Sequence, residues 1–330
     1  FLTLIVASFL CFYGKGSIKK ISFYEQLILI IIVYLVSSFF ISLPYYLSNY
    51  QITFVDSIFE SFSGLTSTGF SIFENIKYLD PTLILWRSSS QWIGGLYFLI
   101  FLIIIFSNNQ YNFRLNHLVY TGNMGSFSKT NTKNVILQIF LVYSLLTLLI
   151  FFILNVGNVR LFNSLNLSMT IISNGGFLPA NSLNQIFQKN NHYILAIALL
   201  ISTLNIFFLF NIYNKKKVLN NHQEDIFLII FISILSLIMF YSLNGVNISD
   251  IIINIITSIS NSGISFSNST EETIIFILLC AMGGTLISNS SGIKFIRIYI
   301  LVKTTAAEIL RLVRPNNVFN NTIFYSDKKL

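Results

Sequence analysis

Six apolar stretches of near membrane-spanning length recur along this chain, at 27–43, 83–106, 135–154, 193–213, 226–243 and 273–303. No other feature limits the fold as strongly. About 20 residues of helix cross a hydrocarbon core, so most of these runs qualify as spans. Residues 1–13 read as the remainder of an earlier span. Of the 330 residues, 54% are hydrophobic and only 10% are charged, with a mean hydropathy of +0.72. Soluble domains carry about 25% charged residues, so the bilayer is the solvent this chain folds in. An all-α integral membrane fold is expected.

Lys and Arg are unevenly placed. Lys15, Lys19, Lys20, Arg114, Lys129, Lys133, Lys215, Lys216, Lys217, Lys303, Arg311, Arg314, Lys328 and Lys329 fall on one side if each run crosses once. The other side receives Lys77, Arg87, Arg160 and Lys189 with Asp56, Glu60, Glu74, Asp80, Asp250, Glu271 and Glu272. The basic side should be cytoplasmic. The net charge of +8 is then a topology signal, and no nucleic-acid partner is expected. Cys11 and Cys280 sit in apolar runs and read as buried free thiols. His117, His192 and His222 fall in polar connecting segments, so no intramembrane catalytic dyad and no enzyme is expected. The chain starts inside an apolar run at Phe1, which reads as a chain that has lost its start.

Three shorter segments, 56–70, 163–177 and 250–264, lie between spans on the external side. They are too short to cross and suit re-entrant segments. They align without gaps on Gly69, Gly176 and Gly263. Thirteen residues before each glycine stand Asp56, Asn163 and Asp250, read as helix N-caps. Three residues before it come Thr66, Ser173 and Ser260, and directly before it Thr68, Gly175 and Ser262. Phe70, Phe177 and Ile264 follow as bulky wedges. A short helix ending near the membrane centre points its partly negative end into a cavity. A strand of small residues after it can turn carbonyls inward to replace a cation's water shell. Capped surface loops are the plainer reading of one such segment, but three in register favour the ion-binding one.

These residues resemble the Trk/Ktr superfamily of potassium transporters. DSIFESFSGLTSTGF (56–70) is similar to its first pore helix and filter, and LWRSSSQWIGG (85–95) to the inner helix that follows. GGTLISNSSGIKFIR (283–297) and RLVRPNNVF (311–319) resemble the broken third inner helix and the basic segment beyond it. The resemblance covers about residues 5–320. It implies repeated helix–pore helix–helix units around a pseudo-fourfold ion pathway, with three of the four units present. Residues 1–24 would be an N-terminal remainder and loop, 25–110, 111–217 and 218–305 the three units, and 306–330 a cytoplasmic segment. The filter positions it implies are Thr66, Ser67, Thr68 and Gly69, then Ser173, Asn174, Gly175 and Gly176, then Ser260, Asn261, Ser262 and Gly263. All three central glycines are present, which the resemblance associates with potassium over sodium. It further implies potassium as substrate, no cofactor in this chain, a homodimer, a cytoplasmic nucleotide-binding regulatory subunit, and a multi-pass place in the bacterial inner membrane.

The chain departs from the family pattern in three ways. No fourth re-entrant segment follows 273–303, so a fragment truncated at both ends is expected, and three quarter-filters do not encircle an ion. Asn174 and Asn261 stand where hydroxyl or apolar residues are common, which leaves sodium or mixed-cation conduction open. The loop Thr285-Leu286-Ile287-Ser288-Asn289-Ser290-Ser291-Gly292 has fewer glycines than the family's. From its residues alone it reads equally as a gate or a static kink, because irregular backbone at mid-membrane depth needs protein or a wet cavity around it. The resemblance favours a gate made of Ser288, Asn289, Ser290, Ser291 and Gly292 with Lys294 and Arg297. Those two cations either face the inner vestibule or snorkel to headgroups. Glu60 serves the pore mouth or a local hydrogen bond, and Trp86, Arg87 and Trp92 read as interfacial anchors. A coupled secondary transporter is the rival reading, although it calls for inverted repeats and intramembrane acids. A non-conducting scaffold also stays open.

Overall fold

The computed structural model describes residues 2–14, 22–106, 132–187, 191–209, 222–242, 248–264 and 273–313. Eleven helices account for nearly all of its regular structure: α1 (Leu2–Gly14), α2 (Phe23–Tyr46), α3 (Phe54–Leu65), α4 (Pro81–Phe106), α5 (Thr132–Val156), α6 (Leu161–Ser173), α7 (His192–Thr203), α8 (Gln223–Ser242), α9 (Ile248–Ser260), α10 (Thr273–Cys280) and α11 (Phe295–Val313). The only sheet among the described residues is a parallel pair of two-residue strands, β1 (Met282–Gly283) and β2 (Ile293–Lys294). Three helices, at Phe23–Tyr46, Ile136–Val156 and Gln223–Ser242, are long and apolar enough to cross a membrane. Their outward faces carry Ile, Leu, Phe and Val side chains that a bilayer would cover. The fold is an all-α membrane one.

The long helices start where local chemistry permits. Ser22 caps α2 by accepting from the Glu25 amide while the Glu25 carboxylate accepts from the Ser22 amide at 2.7 Å. Pro81 opens α4, where a missing N–H costs nothing.

The short helices α3, α6 and α9 follow the long helices α2, α5 and α8, and many of their residues are buried. Here the sequence reading needs one correction. Thr53 is the N-cap of α3 and accepts from the Asp56 amide, so Asp56 stands three residues inside the helix. Asn163 and Asp250 occupy the same third position of α6 and α9. The aligned polar residue is therefore a first-turn residue, where a carboxylate complements the helix dipole.

Two apolar runs are broken. The run at 193–213 does not form one helix: α7 stops at Thr203, and a new short helical segment starts only at Phe207, with the Asn205 side chain accepting from the Phe207 amide at 3.0 Å. The run at 273–303 is split into α10 and α11 by residues 281–294. Cys11 and Cys280 are free thiols, but both are exposed rather than buried. His117, the lysines at 15, 19, 20, 129, 189, 215, 216, 217, 328 and 329, Arg114, Arg314, Glu271 and Glu272 lie outside the described residues, so the charge asymmetry has no structural counterpart to compare.

Candidate functional site

The C-terminal ends of α3, α6 and α9 share one backbone geometry. Ser67, Asn174 and Asn261, each two residues before the aligned glycine, have φ of 54°, 54° and 55°. Gly69, Gly176 and Gly263 have φ of 84°, 78° and 66°. The amides of Ser67, Asn174 and Asn261 donate to the carbonyls of Gly64, Ile171 and Ser258. Those of Thr68, Gly175 and Ser262 donate to Ser63, Thr170 and Thr257. This pair of bonds is the Schellman ending, in which a left-handed residue closes the last turn. Asn tolerates that conformation better than most side chains do, which gives Asn174 and Asn261 a backbone reason to stand where they do.

The three strands then meet in order. A Cβ added to Gly69 would lie 2.4 Å from the Gly175 carbonyl oxygen, and one on Gly176 would lie 2.3 Å from the Ser262 carbonyl oxygen. Only glycine fits either contact. At Gly263 the corresponding Cβ would meet nothing within 4 Å. Ser173, Asn174 and Gly175 in the middle strand are buried, whereas Thr66, Thr68 and Gly263 on the flanks are exposed. Phe177 and Ile264 are buried behind their strands, but Phe70 is 70% exposed.

The helix α4 organises this group. Arg87 is buried and its Nε lies 2.7 Å from Glu60 Oε1 on α3. Glu60 also accepts from Ser71 Oγ at 3.0 Å and from the Ile72 amide at 2.9 Å. The Arg87 guanidinium covers the Phe177 ring at 4.3 Å. So Glu60 holds the segment after the first strand in place, and Arg87 is not an interfacial anchor. Trp86 donates to the Ile41 carbonyl at 3.1 Å. One turn on, the Gln91 Nε2 donates to the Gly175 carbonyl and its Oε1 accepts from the Phe177 amide at 3.2 Å. Gly94 backs onto the Leu65 carbonyl, where a Cβ would lie 1.9 Å away.

Residues 283–290 form a largely buried knot against the second strand. With its amide set by its neighbours, Asn174 donates to Ser202 Oγ at 2.8 Å and accepts from the Ser290 amide at 3.1 Å. Asn289 Nδ2 donates to the Ile172 carbonyl at 2.8 Å. Ser288 and Ser290 hydroxyls lie 2.8 Å apart, and Ser290 Oγ accepts from the Gly284 amide. Lys294 Nζ donates to the carbonyls of Ser288 and Ser290, so it closes its own loop rather than snorkelling. Ser291, Gly292 and Arg297 are exposed.

Several residues of this assembly escaped the sequence reading. Glu224 and Asp225 stand just before the apolar run at 226–243, and both sit in the first turn of α8. Asp225 is buried, accepts from the Asn205 amide at 2.7 Å and lies 2.8 Å from His222 Nδ1. Glu224 accepts from the Leu286 amide at 3.0 Å. His192 likewise lies 2.6 Å from Asp250. Two histidines expected in polar connectors are therefore buried against carboxylates. Opposite charges at the edges of apolar runs were the available signal.

The architecture matches that of the potassium transporter TrkH from Vibrio parahaemolyticus, with a TM-score of 0.77 over 97% of this chain and 70% of that one, at 21% identity. In sequence the chain is 25% identical over 342 residues to the Trk system potassium uptake protein TrkH of Escherichia coli, covering 97% of this chain and 70% of that protein. In both fold and sequence the chain is similar to Trk-type transporters. It is also 26% identical over 312 residues to an uncharacterized cation transporter of Methanocaldococcus jannaschii, covering 91% of this chain and 63% of that protein. The chain thus spans 63 to 70% of the length of these relatives. No family model matches it.

Proposed function

We propose that this chain supplies three quarters of a potassium-selective uptake pathway. The observation that carries the reading is the thrice-repeated strand geometry: left-handed residues at 67, 174 and 261 and again at the three glycines. A strand whose φ alternates in sign can turn successive carbonyls toward one side, the arrangement that replaces a cation's hydration shell. The filter would be Thr66–Gly69, Ser173–Gly176 and Ser260–Gly263, within units 25–110, 111–217 and 218–305. The exposed flanks at Thr66 and Gly263 leave room for a further strand to close the ring. Potassium is substrate here rather than a resident cofactor.

The loop 285–292 would be the gate, in the state described closed by its bonds to Ile172 and Asn174. The reading extends to a multi-pass protein of the bacterial inner membrane, working as a homodimer with a nucleotide-binding regulatory subunit. A coupled secondary transporter is less well supported, because the three repeated units share one orientation. The names of the relatives describe transporters, and the site calls for no enzymatic step.

Expression of the intact protein in a strain lacking potassium uptake tests the proposal. Growth at limiting potassium should be restored. Absent growth, with the protein present in the membrane, would contradict it.

A further inference from the structure

The broken inner helices leave backbone groups without helical partners, and such groups are costly inside a membrane. At the end of α7, the Thr203 carbonyl accepts from both the amide and the hydroxyl of Thr285, at 3.1 and 3.3 Å. The Ile206 amide donates to the Ile287 carbonyl at 3.2 Å. The break in α7 and the loop in the third unit are therefore knitted together. Two further amides lie in the same segments, those of Asn205 and Leu286. Each ends on a carboxylate, and the two carboxylates are adjacent: Asp225 takes Asn205 at 2.7 Å and Glu224 takes Leu286 at 3.0 Å.

Adjacent residues on a helix point about 100° apart, so one turn of α8 can hold one carboxylate against each segment. Both stand in the first turn of α8, whose partly positive end complements an oxygen acceptor. Neither residue belongs to the filter or to the loop itself.

We infer that Glu224 and Asp225 are positioning residues that fasten the knitted pair, the α7 break and the 285–292 loop, to the outer helix of the third unit. The loop then cannot leave its place against the second strand without releasing Glu224. This inference rests on the gate reading given above. Glu224 is the better test, because it is bonded to the loop, whereas Asp225 also faces His222 within a buried pair.

Amide hydrogen exchange of the loop peptide in the purified intact protein reads the fastening directly. Loss of the acceptor leaves a buried amide unsatisfied and should raise exchange at Leu286 by about tenfold to a hundredfold in Glu224→Ala. Glu224→Gln keeps an acceptor of the same length and should exchange within about threefold of the parent protein. If Glu224→Ala does not fold, Glu224→Asp, which draws the acceptor back by one methylene, should show the same direction. Unchanged exchange in the Ala or Asp variant, or equal acceleration in the Gln variant, overturns the inference. Rubidium flux into liposomes separates it from the gate reading, with a variant whose loop 285–291 is shortened as reference. Raised flux in both the shortened-loop and Glu224→Ala proteins supports the inference. Raised flux in the shortened-loop protein alone overturns the anchor and keeps the gate. Raised flux in neither overturns the gate, and the anchor falls with it.

Discussion

Glu60 and Arg87 show how a single ion pair is used where water is scarce. Both side chains are fully buried, and the carboxylate also takes the Ser71 hydroxyl and the Ile72 amide. Removing one partner leaves an uncompensated charge, which typically costs about 3–5 kcal/mol. Arg87→Leu should therefore lower the thermal midpoint of the purified intact protein by many degrees, while the double variant Glu60→Gln/Arg87→Leu recovers part of the loss. Equal loss in single and double variants would show that the pair is not what matters. Gln91 is a gentler case. Gln91→Leu leaves the Phe177 amide and the Gly175 carbonyl without that partner, and about 1–3 kcal/mol of stability should go with it. Sequence reading could see that Glu60 and Arg87 were charges at the edges of apolar runs. It could not pair them, because residues 27 positions apart on separate helices carry no periodic signature of contact.

At the scale of elements, the three short helices end alike because their last turns obey one set of local rules. The alignment on glycine was readable because φ near +80° leaves almost no other choice. The left-handed residue two positions earlier was not readable as such, since Ser67 stands in one copy and Asn in the other two. Both Asn261→Gly and Asn261→Leu lose the bond from Asn261 Nδ2 to the Cys280 carbonyl, and beyond that shared loss Asn261→Leu should cost roughly 1–2 kcal/mol more, the penalty for a Cβ in left-handed backbone. Chemical or thermal unfolding of the two variants side by side checks this, and equal stability would remove the case for the shared ending. The broken α7 was hidden for a different reason. Leu204 and Asn205 carry no proline or glycine, and the break is created by partners from elsewhere, Thr285, Ile287 and Asp225. The break in the third inner helix was visible because its own residues, Ser288 to Gly292, interrupt an apolar run.

At the scale of the whole molecule, hydropathy alone dictated an all-α membrane fold, and the internal repeat located the strands that now lie side by side. Packing supplied what neither could: α4 as the helix that meets the end of α3 through Gly94, pairs with Glu60 of α3 through Arg87, and reaches the second strand through Gln91. The ion pathway proposed for this molecule depends on the close approach of Gly69 to Gly175 and of Gly176 to Ser262. Any side chain at Gly69 must displace a carbonyl of the neighbouring strand. The most direct measurement is competition of potassium and sodium against rubidium uptake into liposomes holding the intact protein, compared with its Gly69→Ser variant. Potassium should compete far better than sodium in the parent protein, and that advantage should shrink or vanish in Gly69→Ser. Equal competition by both ions in the parent protein, or an unchanged preference in the variant, would contradict the account.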